Sequence, residues 1–246
     1  MKTIDINCDT GEGIGNEEAI IPFISSANIA CGYHAGDENT IWETAELCKK
    51  YNVAIGAHPS FLDKENFGRT ELNLDTDDIY DIVTQQLFII DEVVSELDVP
   101  IHHVKPHGAL YNLSAKDKTT AAAIARAVKD FNHELILFGL SGSHSIKEAK
   151  KIGLETCNEV FADRMYMEDG SLMPRTMEGA VINDIDKVVQ QALQLVNEGT
   201  VTTATGKTIK LKADTICIHG DGINAVELAK EITDNLKLDG IILKPR

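Results

Sequence analysis

Strand-like and helix-like segments alternate along the whole chain, which predicts an α/β protein with a parallel sheet closed as a TIM-like (β/α) barrel. Three observations point there. Eight short, nearly continuous apolar runs recur, as expected of strands covered on both faces. Longer segments with apolar residues at three- and four-residue steps separate them. The chain has 246 residues, close to the roughly 250 of a typical barrel. An open sheet would use the same alternation and remains the alternative.

The predicted strands are Thr3–Asn7, Ala27–Cys31, Val53–Ala57, Ile101–Lys105, Leu135–Gly139, Glu155–Phe161, Thr215–His219 and Gly240–Leu243. A first long helix, Glu38–Tyr51, follows Asp37, a good N-cap. A second, Asp77–Leu97, places Ile79, Val83, Leu87, Ile90, Val94 and Leu97 on one face. Lys118–Phe131 is rich in alanine, the strongest helix former. Ser143–Ile152, Asp184–Glu198 and Ile223–Leu236 complete the set. Thr205-Gly206 lies between β-branched residues, so the stretch near 202–211 predicts an exposed hairpin before the seventh strand. No linker, repeat or low-complexity stretch divides the chain, so residues 1–246 are expected to form one domain.

Asp and Glu number 39 against 23 Lys and Arg, a formal net charge of −16. Such a surface argues against nucleic acid, whose phosphates need Lys and Arg, and against an anionic membrane. It does not exclude an anionic small molecule bound in a locally cationic pocket. No segment reads as an export signal or a membrane span. The cysteines are five, an odd number with no CxxC pair, so no disulfide framework or zinc knuckle is suggested. Cys8, Cys31 and Cys217 lie in or beside apolar runs and read as small buried hydrophobes. A cytoplasmic location is expected.

Chemistry-bearing residues gather where strands end. The first strand runs into Asp5-Ile6-Asn7-Cys8-Asp9-Thr10-Gly11-Glu12-Gly13, and the second runs through Asn28 into Cys31-Gly32-Tyr33-His34-Ala35-Gly36-Asp37. The third ends in Gly56-Ala57-His58-Pro59-Ser60 and continues to Phe67-Gly68-Arg69. The fourth ends in Lys105-Pro106-His107-Gly108-Ala109-Leu110-Tyr111-Asn112. Glu159-Val160-Phe161-Ala162-Asp163-Arg164 and Cys217-Ile218-His219-Gly220-Asp221 end the sixth and seventh. In a parallel barrel all these ends share one rim. Four of the eight histidines, His34, His58, His107 and His219, fall on it beside Gly or Pro. His102, His103, His133 and His144 lack that setting and are expected to be structural or on the surface. Glu159 lies inside a strand and needs a partner, either Arg164 or Lys105. Asp163-Arg164 could equally be a structural ion pair.

Two nucleotide motifs fail. Gly11-Glu12-Gly13-Ile14-Gly15 is too short for GxGxxG, and Gly206-Lys207-Thr208 lacks the first glycine of a P-loop, with Val201 in its place. Ser60 and Ser141-Gly142-Ser143 lack the context of a hydrolase nucleophile elbow.

Together the strand-end segments resemble the LamB/YcsF family over essentially the whole chain. The resemblance implies a TIM-like barrel of the glycoside hydrolase/deacetylase type, irregular, with seven or eight strands. It also implies a role as one component of ATP-dependent 5-oxoprolinase, which opens the lactam of 5-oxo-L-proline to L-glutamate with release of ADP and phosphate. The partners would be the B and C subunits, and ATP would be handled in the complex. Catalytic roles are then expected of Asp9, His58, His107, Lys105 and Glu159, and substrate binding of Asn7, Asn28, His34, Arg69, Arg164, His219 and Asp221. Asp9, His34 and His58 form a candidate divalent-metal set, since deacetylases on related barrels use one. A metal-dependent amide hydrolase or deacetylase is therefore one alternative, and a non-catalytic substrate-binding scaffold is another. Lys105, Arg69 and Arg164 all fall on the expected rim, so the pocket should be cationic within an acidic protein.

Overall fold

In the computed structural model, which describes residues 2–220, 222 and 224–246, seven parallel strands close a barrel. They are β1 (Thr3–Thr10), β2 (Ser26–Ala30), β3 (Ala54–His58), β4 (Ile101–Val104), β5 (Ile136–Leu140), β6 (Glu155–Phe161) and β9 (Thr215–Ile218). Each pairs with the next, and β9 returns to β1 through Asp5–Cys8. Helices α1 (Glu17–Ile20), α2 (Glu38–Tyr51), α3 (Thr76–Glu96), α4 (Gly108–Lys116), α5 (Lys118–Phe131), α6 (His144–Lys151), α7 (Ile185–Glu198) and α8 (Ala225–Leu238) surround it. Strands β7 (Thr200–Thr202) and β8 (Thr208–Lys210) form an antiparallel hairpin outside the ring.

The eighth predicted strand does not enter the barrel. Only Ile242–Leu243 form β10, which pairs with Thr3 and Ile4. Residues 5–8 of β1 already bond β9 on that edge, so β10 can reach only the two residues below them. Two short helices carry no clear sequence signal. Helix α1 is one turn long, and α4 starts at a glycine after a residue that offers no side-chain cap. The other helices are better marked. Aspartates 37, 75, 117 and 184 accept backbone N–H bonds at the N-termini of α2, α3, α5 and α7. Ile223, the predicted start of the last helix, lies outside the described residues. Among the described residues no helix is long and apolar enough to cross a membrane.

The apolar core lies between strands and helices, where Ile6, Ile29, Ile55, Leu87, Ile90 and Leu137 are buried. The barrel interior is polar instead. Residues two apart on a strand share a face, so Asp5, Asn7 and Asp9 stack along the inner face of β1. At the base Asp5 accepts hydrogen bonds from Ser25 and Ser26 to Oδ1 (2.5 and 2.8 Å) and from Thr215 to Oδ2 (2.6 Å). One layer up, Asn7 Nδ2 donates to Thr215 Oγ1 (2.8 Å), and Asn28 Nδ2 donates to Asn7 Oδ1 (2.8 Å). His103 crosses the interior to bond Asn28 Oδ1 (2.8 Å) and stacks on Phe138.

That crossing requires the glycine at position 56. A Cβ there would lie 2.1 Å from His103 Nε2. Gly56→Ala should therefore displace the imidazole and destabilise the protein by about 1–3 kcal/mol, the usual cost of overpacking. Urea unfolding followed by circular dichroism measures this. An unchanged midpoint would show that His103 is not wedged against β3.

Candidate functional site

The polar interior opens at the C-terminal ends of the strands, where Lys105 sits at the centre. Its Nζ donates to Asp9 Oδ1 (2.8 Å), Asn7 Oδ1 (3.1 Å) and Cys217 Sγ (3.1 Å). Glu159 Oε1 forms an ion pair with it at 2.9 Å. Glu159 is fully buried, so Lys105 is the partner its strand position demands. Burial alone would lower the Lys105 pKa, but Asp9 and Glu159 outweigh it and hold the group well above the ordinary lysine value. Burial likewise pushes Asp9 up, yet His58 and Lys105 together hold it well below the ordinary carboxylate value. The Tyr111 hydroxyl is buried near Glu159, and burial and then that carboxylate raise it well above its usual value.

Asp9 is tied at one oxygen and open at the other. Oδ1 accepts from Lys105 and from Asn28 Nδ2 (2.8 Å). Oδ2 lies 3.4 Å from His58 Nε2, and the side chain remains 12% exposed, so it can be reached from outside. His58 and His107 stand beside it with their ring nitrogens 2.9 Å apart. The His-Pro and Lys-Pro steps after β3 and β4 stop the ladder, because proline has no N–H to donate. The chain then turns so that both imidazoles face the axis. Burial and then His58 lower the His107 pKa to about 3.

His34 completes a compact group. Its ring stacks on His107 at 3.9 Å, and His58 sits edge-on to both. Its Nε2 is 3.3 Å from Glu12 Oε1. Glu12, His34, His58 and His107 are all buried and bring their ligating atoms within 4.8 Å of one another, a group that could hold a metal ion. His34 and His58 of the expected metal set belong to it. Asp9 stands beside the group, and the carboxylate within it is Glu12. Glu12 was not foreseen as a site residue, although two glycines flank it, both with positive φ, and such a loop can press a side chain inward.

The remaining predicted residues surround a cleft of about 790 Å³. Asp9, His58, Lys105 and His107 line its floor, and Arg69, Arg164 and His219 its walls. Glu159 lies beneath Lys105, and Asn7 and Asn28 lie below Asp9. Asp221 lies outside the described residues. Arg164 does not pair with Asp163. Its Nε and Nη2 donate to the carbonyls of Ala180 (3.3 Å) and Met173 (2.7 Å), which bend the 162–184 segment across the cleft. Asp163 instead accepts from His219 Nδ1 (2.9 Å), and Arg175 donates to His219 Nε2 (3.0 Å).

Arg175 was not foreseen, because its segment carries no strand signal. Lys116, Lys147 and His144 also line the cleft, so among the described residues six Lys and Arg line it together with Asp9 and Asp169. His144, expected to be structural or on the surface, sits at this wall. Gln86, too, gave no sequence signal. From α3 it accepts the Ser60 N–H and donates to the Ser60 carbonyl (both 2.9 Å), fixing the turn that holds His34.

A model of the LamB/YcsF family matches residues 4–246. The chain belongs to the LamB/YcsF family. Within it, a relative from Staphylococcus haemolyticus, named as the A component of 5-oxoprolinase, is 49% identical over 243 residues, 97% of each chain. A relative of the same name from Staphylococcus carnosus is 48% identical over 97% of this chain and 96% of its own. The crystal structure of a lactam utilization protein from Thermus thermophilus superimposes with a TM-score of 0.93 at 40% identity, covering 99% of both chains. The barrel is thus the family's fold.

Lys105 can be tested apart from any reaction. Lys105→Met leaves Asp9 and Glu159 buried without their cation, and should cost about 3–5 kcal/mol of stability. Chemical denaturation of the purified protein measures it. A loss below about 1 kcal/mol, the scale of a surface pair, would show that the lysine does not neutralise these carboxylates.

Proposed function

We propose that this protein is the A component of an ATP-dependent 5-oxoprolinase and contributes the site where the lactam of 5-oxo-L-proline is opened to L-glutamate. The observation that carries the reading is the 49% identity, over 97% of both chains, to a protein named as that component. The rim chemistry supports it. The substrate is a small anion, and the cleft walls are cationic within a protein of net charge −16. Arg69, Arg164 and Arg175 suit a carboxylate or a phosphoryl group.

A lactam resists water because its amide is resonance-stabilised. In the proposed sequence the amide oxygen takes the γ-phosphoryl group of ATP, and ADP leaves. Water adds to the ring carbon and gives up a proton. The ring nitrogen takes a proton, the C–N bond breaks, and an acyl phosphate forms. A second water releases phosphate and leaves glutamate. Asp9 Oδ2 accepts the water's proton and passes it to the ring nitrogen, and His58, backed by His107, holds that oxygen in place. Lys105, whose N–H bonds are already used, is a positioning residue that fixes the Asp9 carboxylate. With no P-loop in the chain, the nucleotide would be handled together with partner B and C subunits.

The test is glutamate release from 5-oxoproline by the protein mixed with those partners, with and without ATP. The proposal expects release only with ATP and all components. Asp9→Asn should lower the rate by about 100-fold or more, the usual contribution of a positioned general base. Wild-type rates from the folded Asp9→Asn variant, or from the partners without this chain, would contradict it.

A further inference from the structure

We propose that Glu12, His34, His58 and His107 bind one divalent transition-metal ion of the zinc class. Each imidazole sends its far nitrogen to an outer partner. His58 Nδ1 donates to the Lys105 carbonyl (2.7 Å), and His107 Nε2 donates to the Phe67 carbonyl (2.9 Å). A carbonyl can only accept, so both far nitrogens carry hydrogen. His34 Nδ1 meets Ser60 Oγ at 2.9 Å, and that hydroxyl spends its own hydrogen on the Phe61 carbonyl (2.9 Å). His34 Nδ1 is therefore also the donor. In the neutral rings, every near nitrogen then presents a lone pair.

These lone pairs face one another. His58 Nε2 and His107 Nδ1 are 2.9 Å apart, and Glu12 Oε1 lies 3.3 Å from His34 Nε2 and 3.6 Å from His107 Nδ1. Four acceptor atoms thus converge in a buried space. A single extra proton between His58 and His107 would satisfy that pair and leave His34 and Glu12 opposed. A cation accepts electron pairs from all four at once. Outer partners that fix the tautomer of each ring are the arrangement metal-binding histidines usually have.

The donor set selects the metal. Three imidazoles and one carboxylate suit zinc and its first-row neighbours, whereas magnesium and calcium prefer oxygen ligands. The ligands arrive from four successive strand ends, after β1, β2, β3 and β4, so the ring of strands pre-forms the site. Gly68 allows its closeness, since a Cβ there would lie 2.9 Å from His34 Cβ and 3.0 Å from the His107 ring.

The inference does not depend on the lactam reading, and its test uses no substrate. The full-length protein is stripped with a chelator, dialysed, and titrated with Zn²⁺ alone by calorimetry, with metal content measured by elemental analysis after gel filtration. One zinc per chain is expected, along with visible d–d absorption when Co²⁺ replaces it. Glu12→Gln and His34→Gln should each weaken Zn²⁺ binding by more than about 100-fold, since even outer-partner changes cost about 10–100-fold. Circular dichroism checks their folding, and the Co²⁺ spectrum of the unaltered protein decides the matter if both misfold. No zinc binding by the unaltered protein, no Co²⁺ spectrum, or affinity unchanged in folded variants would overturn the proposal.

Discussion

A lysine ammonium group held inside the barrel is the constraint on which the rest of this structure depends. An uncompensated charge in a protein interior costs several kcal/mol, and Lys105 is almost entirely buried. Asp9 and Glu159 supply its counter-charges from β1 and β6, the two strands that flank β9. Asn7 and Asn28 then bind the same atoms, Thr215 binds Asn7, and Asp5 binds Thr215. A connected polar column results where most barrels of this class stack branched aliphatic side chains. Each member is satisfied only while the others are in register, so the column links barrel closure to the geometry of the rim.

The same column orients the groups at the rim. With one Asp9 oxygen fixed by Lys105 and Asn28, the other must face the imidazoles and the cleft. Rim histidines are in turn set by backbone carbonyls of the strand ends and loops. The site therefore needs little side-chain rearrangement to receive a ligand. The acidic surface and the cationic cleft belong to one design. Much of the negative charge sits at exposed positions such as the helix caps, while three of the five arginines line the cleft.

The fold was legible because its signals are periodic. Ile79 to Val94 mark one face of α3, Asp37 marks the start of α2 by its side-chain chemistry, and alanines mark α5. The barrel's strand count was less legible, because Gly240–Leu243 looks like any other apolar run. Only the occupied edge of β1 excludes it from the ring. At the site, Asp9, His58, Lys105 and His107 were visible because each adjoins a Gly or Pro step or closes a strand. Glu12 was passed over although it shares that glycine setting, and Arg175 lies in a segment with no strand or helix signal. His103 looked structural and is so, but its contact with Asn28 joins it to the polar column. Such partnerships depend on register between distant strands, which local pattern does not encode.

Neutron crystallography of the deuterium-exchanged protein tests the central claim most directly, because it locates protons. Three deuterons should appear on Lys105 Nζ and none on the Asp9 carboxylate. A neutral Lys105 amine, or a deuteron on Asp9, would contradict the account of a charged lysine organising the barrel interior.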